Sequence, residues 1–157
     1  MKKIVFFILL TSLFCCTNES KNTPYELINL GDHKTQNKKI ILVNPSQTKD
    51  CDEIIYKGIE FLICYNERQD SIIDYIFVND KNYVTSDNIK IGSTYEDVKK
   101  VSSNAEIIDI EGWAKVAYLP SKWIACFNFN EVINDSSKVS FLYYFREDMY
   151  TDRTTAY

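Results

Sequence analysis

Histidine is almost missing from this chain of 157 residues: His33 is the only one, and it stands among Lys34, Gln36 and Asn37 in a solvated, polar stretch. A zinc site usually draws several His or Cys ligands at short spacing. His33 has none near it, and Cys51 has no second ligand at zinc-finger distance. A cysteine nucleophile would have only His33 to activate it. Glycine and proline are also scarce, four and three, which excludes collagen-like and low-complexity chains. Basic charge is short as well. The formal net charge is -4, and loss of Lys2 and Lys3 with an N-terminal leader would leave 16 basic against 22 acidic residues, a charge of -6. An acidic, Arg-poor chain is a poor match to a phosphate backbone, so no nucleic-acid partner is expected.

What is present fits one ordinary folded domain, with 45% hydrophobic and 25% charged residues. The N-terminus carries an address. Met1, Lys2 and Lys3 form a basic n-region, and Ile4 to Phe14 is an apolar stretch broken only by Thr11 and Ser12. That is the length of a signal-peptide core and too short for the roughly 20 apolar residues of a membrane span. Leu13, Phe14, Cys15 and Cys16 then lead into the polar run Thr17-Asn18-Glu19-Ser20. This resembles a bacterial lipobox, in which the cysteine after the cut is lipidated and the residue before it is small. Cys16, with Cys15 before the cut, fits that rule better than Cys15 behind Phe14. The resemblance implies residues 1–15 as a lipoprotein signal peptide and Cys16 as the acylated residue. It also implies a protein of the bacterial cell envelope held to a membrane by its lipid.

Residues 16–23 read as a flexible tether and residues 24–146 as a single domain; the polar residues 147–157 read as a C-terminal tail. Pro24 to Leu30 carries a short apolar pattern ended by Gly31, a single helical turn or docking segment. Strand signals begin at Lys39. Ile40 to Val43 stops at Asn44-Pro45, and Glu53 to Lys57, Ile59 to Tyr65 and Ile72 to Val78 follow, all rich in Ile, Tyr and Phe. Four more follow at Ala105 to Ile110, Trp113 to Leu119, Lys122 to Phe129 and Lys138 to Phe145. Their short connections predict consecutive antiparallel neighbours. The alternation in the last strand predicts one core face and one partly wet face.

Between the two groups of strands lies a helix signal. Ser93-Thr94-Tyr95-Glu96 has the form of a capping box, with Tyr95, Val98 and Val101 on one face and Glu96 and Lys100 paired at i, i+4 on the other. These signals predict an α+β fold: a mostly antiparallel sheet with one main amphipathic helix, about residues 93–103, packed on it. The stretch from Asn88 to Val101, with Ile91-Gly92-Ser93 and Val98, resembles the opening helix of the BamE-like and beta-lactamase-inhibitor-protein-like domains. The resemblance covers residues 88–129. It implies a bacterial lipoprotein that binds another protein, with Ile91, Gly92, Ser93 and Val98 in structural roles.

Neither an active site nor a metal or cofactor site emerges. Asp50, Asp52 and Glu53 alternate as oxygen ligands but lack the Gly turn and terminal bidentate Glu of a calcium loop. No spacing among the acids supports a glycosidase pair. The chain therefore reads as non-enzymatic, with no cofactor. Two hairpins carry the specific expectations. A two-residue loop at Lys57-Gly58 sets Cys51 opposite Cys64 at a position close enough for a disulfide, whereas a three-residue loop slips them apart. A two-residue loop at Pro120-Ser121 puts Trp113, Lys115, Lys122 and Asn128 on one mixed face, a candidate binding surface. An odd-length loop instead puts Trp113 on the same face as Trp123, in the core; Pro at the turn is compatible with either. The leading expectation is a membrane-tethered, non-catalytic protein-binding module, an assembly accessory or an inhibitor or immunity factor. The alternative is a small-ligand binder with a pocket between helix and sheet.

Overall fold

The computed structural model describes residues 37–68, 72–103 and 105–145. Cys15 and Cys16, the 16–23 tether, the 24–30 segment, His33, Asn104 and the 147–157 tail lie outside the described residues. Four strands come first: β1 (Lys38–Asn44), β2 (Gln47–Tyr56), β3 (Ile59–Tyr65) and β4 (Ile73–Val78). One helix, α1 (Tyr95–Val101), precedes β5 (Ile108–Ile110), β6 (Ala114–Tyr118), β7 (Ile124–Asn128) and β8 (Phe141–Phe145). All eight strands form a single sheet in the order β1-β2-β3-β4-β8-β7-β6-β5, antiparallel throughout. The two meanders meet in the middle, where Ile76 faces Tyr144 and Phe77 faces Tyr143.

The expected α+β architecture is corrected to a mostly-β one: a curled, eight-stranded half-barrel with one helix of seven residues. The cause lies in the strands. β8 reads Phe-Leu-Tyr-Tyr-Phe, apolar on both sides, so the sheet must cover two faces and not one. Leu142 and Tyr144 join a cluster with Phe61, Ile63, Ile76, Trp123 and Phe127 on the convex face, covered by α1 and the long β4–β5 connection through Tyr83, Ile89 and Val98. Tyr143 joins a second cluster with Val43, Cys51, Cys64, Tyr75, Val116, Ile124 and Cys126 on the concave face. That second face is covered chiefly by the curvature of the sheet itself, so the expected partly wet face does not exist in that form. Burying the inner face by curling is how a sheet approaches a barrel.

The N-cap falls one residue later than the sequence pattern predicts, and the helix spans Tyr95–Val101 in place of about 93–103. Thr94 is the N-cap and Asp97 its reciprocal partner. Ser93 is drawn off: its hydroxyl accepts from the Lys90 N–H at 3.1 Å, and its carbonyl accepts from the Val139 N–H at 2.9 Å. Val98 is buried, and Lys100 reaches Glu96 at 3.3 Å, the i, i+4 pair expected. Ser102 is already extended, so α1 ends there and covers only part of one face.

Candidate binding cleft

The two disulfide cysteines fix the root of the concave face. Lys57 at φ 51 and Gly58 at φ 79 form a two-residue turn, the pair of positive φ values that matches strand twist. Tyr56 therefore faces Ile59 and Cys51 faces Cys64. The two are joined, with their alpha carbons 4.2 Å apart. Next to the bridge, β4 carries a bulge opposite Cys64 and Tyr65. The extra residue is Asp74, and the bulge turns its carboxylate toward β2, where Lys49 Nζ lies 2.8 Å away. Asn66 Nδ2 donates to Asp74 Oδ1 at 3.1 Å, and the Lys49 ammonium also stands over the Tyr75 ring at 5.2 Å. Both partners of this ion pair are buried.

Beyond it runs a floor of rings. Phe77 stacks on Phe141 with centroids 5.0 Å apart, and Tyr143 meets Phe77 edge-on at 5.1 Å. Trp113 closes the group, edge-on to Tyr143 at 5.2 Å and to Phe141 at 5.8 Å. Leu62, Phe77, Trp113 and Phe141 are only partly buried. A cleft of about 440 Å³ opens at this end, lined by Leu62 and Phe77 below and by Glu60, Asn79, Asp80, Lys81 and Asn82 around it. The rim acids are already engaged. Glu60 pairs with Lys39 at 2.8 Å, and Asp80 accepts the Glu60 N–H at 3.3 Å and the Asn82 N–H at 2.8 Å. Lys39 also holds Glu53 at 2.7 Å, which draws the Glu53 carboxyl below its ordinary pKa. Burial pushes the Cys126 thiol well above its usual range, so it stays a neutral, apolar member of the cluster.

The four residues expected on one mixed face are not brought together. The β6–β7 turn has three residues, Pro120, Ser121 and Lys122, with Lys122 at φ 69 and Leu119 paired to Trp123. Trp123 is fully buried, as either loop length predicts. The odd loop sets Ala117 and Leu119 on its face and leaves Ala114, Val116 and Asn128 on the other, but Trp113 does not join Trp123 as that alternative expected. Trp113 lies in the β5–β6 turn ahead of β6, and the turn swings it onto the concave cluster, not among lysines. Lys115 donates to the Glu131 carbonyl at 2.7 Å, and Asn128 accepts the Asn130 N–H at 3.0 Å, so both serve the β7–β8 connection. Leu62, Phe77 and Phe141 were not singled out by sequence reasoning. Alternating aromatics in β4 and β8 were visible, but their partial exposure depends on how far the sheet curls. Among the described residues no group of three or more His, Cys, Asp or Glu side chains is placed to hold a metal ion.

No family model and no curated protein matches the chain. Its fold is similar to that of the uncharacterized protein YfeY from Escherichia coli, with a TM-score of 0.45 and 16% identity over 72% of this chain and 82% of that one.

Proposed function

We propose that the protein is a non-catalytic recognition module, lipid-anchored in the bacterial envelope, that binds a partner protein through the mouth of its concave face. One observation carries this reading: the partly exposed Leu62 and Phe77 sit inside a rim of Glu60, Asn79, Asp80, Lys81 and Asn82, and the rings of Phe141 and Trp113 continue the apolar surface from Phe77. An apolar centre with a polar margin is the anatomy of a protein interface. Aromatic residues are the usual anchors of such centres. The rim carboxylates are spent on Lys39 and on backbone N–H groups, which favours a supporting role over acid-base chemistry. The lipobox and the resemblance of residues 88–129 to protein-binding lipoprotein domains agree with this reading.

The test is chemical cross-linking and capture from the protein's own membranes. Leu62→Lys places a charge on the cleft floor, whereas Val132→Lys alters a residue 84% exposed elsewhere. Partners held by the wild type are expected to survive Val132→Lys and to be lost with Leu62→Lys. Equal capture by both variants rules out the cleft as the binding surface.

A further inference from the structure

β2 is longer than the strand beside it. Its pairing with β3 begins at Cys51 and runs to Tyr56, whereas its pairing with β1 continues through Asp50, Lys49, Thr48 and Gln47. Residues 40–50 are thus a two-stranded arm projecting past the end of β3, and the Cys51–Cys64 bridge sits at its root. The arm is one layer thick. Ile40 is 73% exposed and Leu42 42% exposed on its outer side, so what it buries it buries inward, through Ile41, Val43 and Lys49. Its far end crosses the concave face to the opposite end of the sheet. There Trp113 Nε1 donates to the Leu42 carbonyl at 3.1 Å, and Tyr143 Oη donates to the Val43 carbonyl at 3.5 Å. Pro45 lies against Gly112: a Cβ built on that glycine would stand 4.0 Å from Pro45 Cβ.

The hydrogen-bond pattern explains why the clasp falls where it does. Asn37 accepts the Glu53 N–H, so residues 37, 39 and 41 turn their backbone groups to β2, and residues 38, 40 and 42 turn theirs outward. The Leu42 carbonyl therefore belongs to the free edge, and the indole caps it in place of another strand. We infer that the arm is a hinged strap: it swings about the disulfide-pinned root, and Trp113 latches it shut over the concave face. An isolated two-stranded hairpin is marginal in water. A single side-chain hydrogen bond adds little net stability. A strap held by side-chain bonds of this kind, by Lys49 against Asp74 and Tyr75, and by apolar contacts can open without unfolding the sheet beneath it. The inference rests on the reading of the concave face as the binding surface, since opening would bare more of that face to a partner.

Cys126 provides a built-in reporter, because it is the free thiol among the described residues and lies fully buried in the same cluster as Val43. Its labelling by 5,5'-dithiobis(2-nitrobenzoate) under native conditions measures opening. Trp113→Phe keeps a ring and removes the latch N–H. Labelling is expected to quicken about three- to tenfold, the effect of one hydrogen bond on an opening equilibrium. Pro45→Cys with Gly112→Cys brings two Cβ positions within disulfide range. Once bridged, this variant should slow labelling to the rate of global unfolding. Pro45→Ala with Gly112→Ala is its control, because it shares the strain of a side chain at φ 76. Labelling at the global unfolding rate in the wild type, the Trp113→Phe variant and the bridged variant alike would overturn the strap. If labelling follows the expected order but the bridged protein captures partners as well as the wild type does, the strap stands and the reading of the concave face falls.

Discussion

Thr94 and Asp97 close the start of α1 reciprocally. The Thr94 hydroxyl accepts the Asp97 N–H at 3.2 Å, and Asp97 Oδ2 accepts the Thr94 N–H at 3.0 Å. That backbone hydrogen bond, then the Thr94 hydroxyl and Lys100, hold the Asp97 carboxyl below its ordinary value. A carboxylate whose pKa is depressed by folding contributes stability that is fully present above its unfolded pKa, about 3.9. That contribution is lost as pH falls through the lower folded value. Asp97→Asn is therefore expected to shrink the difference in denaturant midpoint between pH 7 and pH 3. An unchanged difference would mean that the box does not operate in solution. Thr94→Ala removes the cap acceptor and is expected to cost about 1 kcal/mol at pH 7, read by the same titration. At this scale sequence reasoning found the helix signal but chose Ser93 and Glu96, since nothing local reveals that Ser93 is engaged by Lys90 and Val139.

At the scale of elements, the β2–β3 hairpin was the most legible part of the chain. Ile59, Phe61 and Ile63 share one face, and a two-residue Lys-Gly turn sets Cys51 opposite Cys64; a three-residue loop was equally open to the sequence, and the positive φ of both Lys57 and Gly58 decides for the first. The bridge closes a loop across a separation of 13 residues. A cross-link of that span stabilises by about 3 kcal/mol in the chain-entropy view. Cys51→Ala with Cys64→Ala is expected to lower the free energy of unfolding by about that much, with the native β-sheet signal kept in circular dichroism. A loss under about 1 kcal/mol would contradict this. The β6–β7 hairpin was not legible, because Pro-Ser opens a two- or three-residue loop equally well and only the twist of the finished sheet chooses. The start of β2 was missed for a different reason. Gln47 to Asp52 is polar, and its inward residue, Lys49, is buried only because a bulge 25 positions later offers Asp74. A strand whose partner charge comes from a distant irregularity has no local signature.

At the scale of the whole molecule, curvature is what sequence patterning cannot supply. Two apolar faces can be covered by helices on both sides or by a sheet that folds over itself, and the described domain combines the two: α1 and the β4–β5 connection cover one face, and the curl of the sheet covers the other. The floor of rings, the rim and the arm are all products of that curl. The described domain also enters its sheet at the edge strand, β1, whose first residue is Lys38. If Cys16 is the anchor, mass spectrometry of the membrane-extracted protein is expected to find a mature N-terminus at Cys16 carrying acyl chains. Cys16→Ala should move the protein to the soluble fraction with the Cys51–Cys64 bridge intact. An unmodified N-terminus in the wild type would remove the anchor altogether. Membrane retention of Cys16→Ala with acylated Cys15 would move the anchor by one residue and leave the tether in place. The soluble variant also separates two contributions to partner capture. Binding through the cleft survives release from the membrane at sufficient concentration, whereas capture that depends only on shared residence in one membrane does not.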